Sequence, residues 1–165
     1  MKLIFDDFFK QGNWGLIQLT GPSGCGKTTF CKKYINLNPE ILFFDTQFRV
    51  FSGTINENIS MGNIISDENL SICSKYFLAD LTARMYENCS EKDLSTGQIQ
   101  RINFTRNIIN LKNKSIILDE PLSNINSEMY ETVILGLKKL CKQNLIKLII
   151  ITHNISDKIP NKEMT

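Results

Sequence analysis

The stretch Gly21-Pro22-Ser23-Gly24-Cys25-Gly26-Lys27-Thr28 has the residue types needed to grip a chain of phosphates. Glycine reaches backbone conformations closed to residues with a Cβ, so successive N–H groups can turn inward onto one anion. A helix starting at this point would add its positive end. Lys27 would then reach the β- and γ-phosphates of a nucleoside triphosphate. The Thr28 hydroxyl would ligate Mg²⁺, and Thr29 would complete the phosphate-binding set. Further along, the apolar run Ser115-Ile116-Ile117-Leu118 ends in the carboxylates of Asp119 and Glu120. At the end of a strand they would sit where open α/β sheets bind ligands. Asp119 could hold Mg²⁺ through water, and Glu120 could polarise an attacking water as a general base. Alone, the pair equally suits an acidic turn or helix start; with the phosphate loop present, chemistry is the better reading. His153, the single histidine, directly follows another apolar run and could hydrogen-bond the terminal phosphate or the water.

These groups need elements to carry them. Residues 14–20 read as a short buried strand leading into the glycine-rich turn, and residues 27–37 as a helix stopped by Asn38-Pro39. Further strands are expected over 41–45, 115–119 and 145–152, and helices over 96–111 and 126–142. Between 58 and 87 the apolar residues Leu70, Cys73, Phe77, Leu78 and Leu81 follow helical spacing. Strands alternating with helices predict a mostly parallel sheet flanked by helices. Within a single domain over 1–165, segments 1–47 and 112–165 are expected to form the core. The segment of about 48–111 is expected to be a helical subdomain.

Composition narrows the function. The 165 residues carry a net charge of +2, too little to argue for nucleic acid or an anionic membrane on electrostatics alone. No apolar stretch approaches the ~18 residues that cross a bilayer. Asp6 and Asp7 stand where a secretion signal would have its apolar core, so a cytoplasmic protein is expected, meeting a membrane only through a partner. The five cysteines include no C-x-x-C pair, which argues for reduced thiols and against a disulfide or zinc framework. Cys25, inside the phosphate loop, is the one expected to meet thiol reagents.

Leu94-Ser95-Thr96-Gly97-Gln98-Ile99-Gln100-Arg101 resembles the LSGGQ signature of ATP-binding cassette (ABC) ATPases with its following Gln-Arg. Other family elements occur in the family's order. Gln47 lies where the Q-loop glutamine is expected, and Phe51 to Ile59 (FSGTINENI) looks like a segment typical of exporter-type cassettes. Arg106 matches an arginine common after the signature. Glu120-Pro121 followed by Ser123-Asn124-Ile125-Asn126 resembles the D-loop, and His153 matches the switch histidine. The resemblance runs from about Phe5 to His153. It implies a P-loop NTPase fold whose reduced helical subdomain carries the signature.

It also implies ATP and Mg²⁺ as ligands, with Thr28, Gln47 and Asp119 around the metal and Glu120, His153, Gln47 and Lys27 in catalysis. A second ABC domain, identical or not, would close head to tail and offer Leu94, Ser95, Thr96, Gly97 and Gln98 to the opposite nucleotide. A membrane-embedded transporter subunit, exporting by the Phe51–Ile59 resemblance, is the expected partner. Two other readings stay open. One is a soluble ABC clamp on nucleic acid or ribosomes, disfavoured by the near-neutral charge. The other is a reduced cassette that regulates a partner with slow turnover. The departures support that last reading: Thr96 replaces the first signature glycine, Asn126 stands where the D-loop usually has Asp, and no T-E-V-G-E precedes the signature. The chain is also expected to be shortened, since family members place an adenine-stacking aromatic upstream of its first residue. Phe5, Phe8 and Trp14 are possible substitutes, each equally explicable as core.

Overall fold

The structure is a computed structural model and describes residues 1–45 and 49–164. Five strands form one parallel sheet: β1 (Gly15–Thr20), β2 (Ile41–Phe44), β5 (Ser115–Asp119), β6 (Lys147–Ile151) and β7 (Asn161–Glu163), in the spatial order β2-β5-β6-β1-β7. The central strands read as continuous apolar runs because both faces of a parallel sheet are covered. Ile149, Ile151 and Ile117 face one core with Phe5, Leu19 and Tyr34. Ile116, Leu148 and Ile150 face the other, with α6 (Ser127–Asn144) packed there through Val133, Ile134 and Leu137. This is an α/β P-loop NTPase fold.

The helices depart from the expected pattern in two places. α1 (Lys2–Lys10) had no sequence-based expectation, although Phe5, Phe8 and Phe9 share one helical face and pack among Phe30 and Tyr34. The helical run expected over 58–87 breaks up. α3 (Ile55–Ser60) stops where Met61 and Gly62 both turn left-handed, with φ of 49° and 79°. α4 (Asp67–Tyr76) starts afresh on a Ser66 cap, and Ala79–Arg84 tightens into a 3-10 helix. A left-handed pair cannot continue a right-handed helix. The two-residue strands β3 (Gly53–Thr54) and β4 (Asn88–Cys89) pair across this insert. Its Ile55, Ile59, Phe77 and Leu81 are fully buried in the same cluster as Leu148 and Ile150 of the sheet.

Smaller shifts concern element ends. α6 runs on to Asn144 and is closed by Leu145 at φ 54°, so β6 begins at Lys147 and not at residue 145. Strand β7 is short and polar, which left it invisible to pattern reading. Among the described residues no helix is long and apolar enough to cross a membrane.

Candidate functional site

The ends of β1, β5 and β6 lie side by side, and each releases one piece of the site at the same edge of the sheet. β1 runs into the phosphate loop. Gly21, Gly24 and Gly26 hold φ of 147°, 78° and 94°, a region costly for any residue with a side chain. At Gly21 there is no room either: a Cβ would stand 2.2 Å from the Met164 carbonyl oxygen, which follows β7. Gly26 caps α2 (Lys27–Asn36) with no side-chain acceptor, so the helix's first N–H groups face the loop unclaimed by any cap. Lys27 is 7% exposed, and its ammonium donates to the carbonyls of Gly21 (2.7 Å) and Pro22 (3.1 Å). Its charge therefore stands inside the arch of the loop.

β5 supplies the carboxylates. The Thr28 hydroxyl donates to Asp119 Oδ2 at 2.7 Å, joining the start of α2 to the end of β5. Glu120 turns left-handed, at φ 49°, as its N–H donates to Ile151 O. Glutamate has no intrinsic preference for this conformation, which at Glu120 sets the direction of its side chain. That turn brings Glu120 Oε1 to 3.2 Å from Nε2 of His153, which leaves β6 two residues after Ile151. Burial pushes the Glu120 carboxyl above the usual glutamate range. The neighbouring Asp119 adds to the rise, while His153 and Lys27 oppose it. A cleft of about 290 Å³ joins Ser23, Gly24, Lys27 and Thr28 with Asp119, Glu120 and His153.

Thr28 Oγ1 and Asp119 Oδ2 are adjacent hard oxygen donors, the chemistry Mg²⁺ prefers. Among the described residues no group of three or more His, Cys, Asp or Glu could cage a metal alone. The pair therefore suits a cation completed by phosphate oxygens and water. Gln47, the third expected metal contact, lies outside the described residues. Phe5 is fully buried and packs edge-on against Phe9, Phe30 and Tyr34, so it is core and no adenine platform. Phe8 and Trp14 are only partly buried and border other cavities, which do not include the phosphate-loop residues.

The signature opens α5 (Thr96–Ile108). Ser95 caps it, accepting from Gln98 N at 3.2 Å while Gln98 Oε1 accepts from Ser95 N at 2.9 Å. Ser95 and Thr96 are exposed and do not line the cleft around Lys27. Beneath them Arg101 is 5% exposed, forks onto both oxygens of Asp80 at 2.6 and 2.8 Å and bonds Phe77 O. The fork holds the Asp80 carboxyl down at about 2.

The Phe51–Ile59 segment is a folding unit. Thr54 and Glu57 form a capping box, and the Asn58 amide closes the chain back onto Phe51. Arg106 of α5 then bonds Asn58 O, Asn58 Oδ1 and Arg49 O. Asn126 caps α6 through Met129 N at 2.8 Å, a task Asn and Asp perform equally well. Sequence reasoning named Gln100 and Arg101 only as part of the motif, without roles. Their partners lie far off in the chain, and no local spacing points to them.

No family model matches the chain. Among curated proteins it is 32% identical, over 87% of its length, to the spermidine/putrescine import ATP-binding protein PotA of Clostridium novyi (strain NT), covering 50% of that protein. It is 31% identical, over 84% of its length, to the SPbeta prophage-derived sublancin-168-processing and transport ATP-binding protein SunT of Bacillus subtilis (strain 168), covering 23% of it. Against ABC transporter I family member 17 of Arabidopsis thaliana the identity is 32% over 85% of this chain and 62% of that one. The chain thus spans half or less of the first two relatives. Their names differ, yet in each case the alignment covers most of this chain, and the chain belongs to the ATP-binding domains of the ABC family.

Proposed function

We propose that this chain is an ATP-hydrolysing subunit that closes head to tail with a second ABC domain on ATP and drives a membrane-embedded transporter. The observation that carries this reading is the convergence of Lys27, Thr28, Asp119, Glu120 and His153 on one cleft. In it the loop amides and Lys27 bind the triphosphate. Thr28 and Asp119, with Gln47 as a third contact, would hold Mg²⁺, which would supply charge neutralisation at the phosphate oxygens. Glu120 takes the proton of the attacking water, and His153 holds the Glu120 carboxylate in place through its Nε2. Leu94, Ser95, Thr96, Gly97 and Gln98 serve the opposite subunit's nucleotide. The exposure of Ser95 and Thr96, and the absence of all five from this chain's own cleft, support that assignment.

The segment of about 48–111 acts as the reduced helical subdomain, with its core continuous with the sheet. Export is the favoured direction, supported by the Phe51–Ile59 segment. The chain works on the cytoplasmic face of the membrane through its partner. Slow, regulatory turnover is the second reading, favoured by the Thr96 side chain at the first helical position of the signature.

Glu120→Gln tests the proposal. It should bind ATP as the parent does and remain as an ATP-closed dimer by size exclusion. Hydrolysis should fall roughly a hundredfold to ten-thousandfold. A variant with parental turnover removes Glu120 from the chemistry.

A further inference from the structure

The signature tip and the turn after Glu120 touch within one chain, and one fully buried side chain joins them. Gln100 lies one helical turn past the Ser95 cap and is 0% exposed. Its amide is used at both ends. Nε2 donates to Ser123 Oγ at 2.9 Å, and Oε1 accepts from the Asn124 backbone N–H at 2.8 Å. Ser123 and Asn124 are themselves exposed, so water could have served them equally well. A glutamine spends rotamer freedom and desolvation to reach them from beneath. Beside it the backbones meet: a Cβ on Gly97 would stand 3.2 Å from Asn124 O. Pro121 and Leu122, which link this turn to the left-handed Glu120, are buried, and Leu122 is part of the main core.

From this contact we infer that Gln100 is a positioning residue that makes the setting of Glu120 depend on what the Ser95–Gly97 tip is holding. The inference rests on the ATPase reading above. A phosphate drawn onto the tip by the opposite subunit pulls on the first turn of α5. That turn is stiffened by the Arg101 contacts to Asp80 and to Gly97 O. Gln100 passes the displacement to Ser123 and Asn124, three and four residues after Glu120. Hydrolysis in one cleft thereby follows occupancy of the other, and the coupling lies inside each subunit as well as across the dimer.

The test is Gln100→Met, of similar length and unable to bridge, together with Ser123→Ala, which removes only the exposed end of the bridge. Each is assayed as the whole chain for ATP affinity, and for kcat, KM and Hill coefficient of ATP hydrolysis. The expected result for Gln100→Met is unchanged ATP affinity, kcat lower by about tenfold for the loss of two part-buried hydrogen bonds, and a Hill coefficient falling to one. Ser123→Ala should move the same quantities less, and the double variant should add little to Gln100→Met. Should Gln100→Met fail to fold, Ser123→Ala carries the test. A parent that turns over ATP, beside folded variants with its kcat and Hill coefficient, overturns the inference alone. A parent that neither binds nor hydrolyses ATP overturns the ATPase reading, and this inference with it.

Discussion

Two helices of this molecule begin at the phosphate loop and at the signature, and their first turns are finished in opposite ways. α2 starts behind left-handed Gly26, which offers its first N–H groups no side-chain cap. α5 starts behind Ser95, with its cap closed reciprocally by Gln98. A capped helix end is worth about 1 kcal/mol over an uncapped one, so α5 is complete in the lone chain. The α2 end leaves its donors without a cap of that kind. The difference teaches how labour divides. On the proposed function, the phosphate loop waits for its nucleotide, and the signature tip stands finished until a second subunit presents one.

The contrast can be attacked from its strongest side first. Lys27→Ala removes the side-chain cation that stands inside the loop's arch and should weaken ATP binding by about 2–5 kcal/mol. Calorimetry showing unchanged affinity would mean that the loop does not grip phosphate. Next in size is the pH response of the same cleft. Burial raises the Glu120 carboxyl, and a general base must be ionised. The acid limb of kcat should therefore lie above the ordinary glutamate range and vanish in Glu120→Gln. The raised value favours the protonated form in the folded state. Its contribution to stability is thus present at low pH and lost as pH rises through the folded value. An acid limb at or below the ordinary range would show a solvated Glu120. Smallest is Ser95→Ala, which should cost α5 about 1 kcal/mol in thermal or urea unfolding and leave first-ATP affinity alone. A loss of monomer ATP affinity in that variant would erase the distinction between the two ends.

Local physics decided what could be read from the chain itself. The phosphate loop was legible because its glycines, Lys27 and Thr28 act on one another within a single turn. The apolar run into Asp119 was legible because a strand covered on both faces has few other compositions. The left-handed backbone of Glu120 was not, since glutamate carries no preference for it and the bond from its N–H to Ile151 O imposes it. Nor was the break after Ser60, where apolar spacing on either side masked Met61-Gly62. α1 was within reach from the spacing of Phe5, Phe8 and Phe9. β7, reading Asn-Lys-Glu, owes its place to pairing with β1 and to nothing in its own side chains. The roles of Gln100 and Arg106 were out of reach because their partners come from Ser123, Asn124, Arg49 and Asn58, brought near only by the fold.

The distribution of thiols has a practical consequence. Cys31, Cys73, Cys89 and Cys141 are buried, and burial pushes all four upward, Cys31 and Cys141 to about 12. Thiols so protected from water and so reluctant to ionise are poor nucleophiles. Cys25 is only half-buried, on the arch that receives the nucleotide. The native chain therefore offers a single chemical handle for a fluorophore at its phosphate loop, with no background from the rest of the molecule and no engineered residue required.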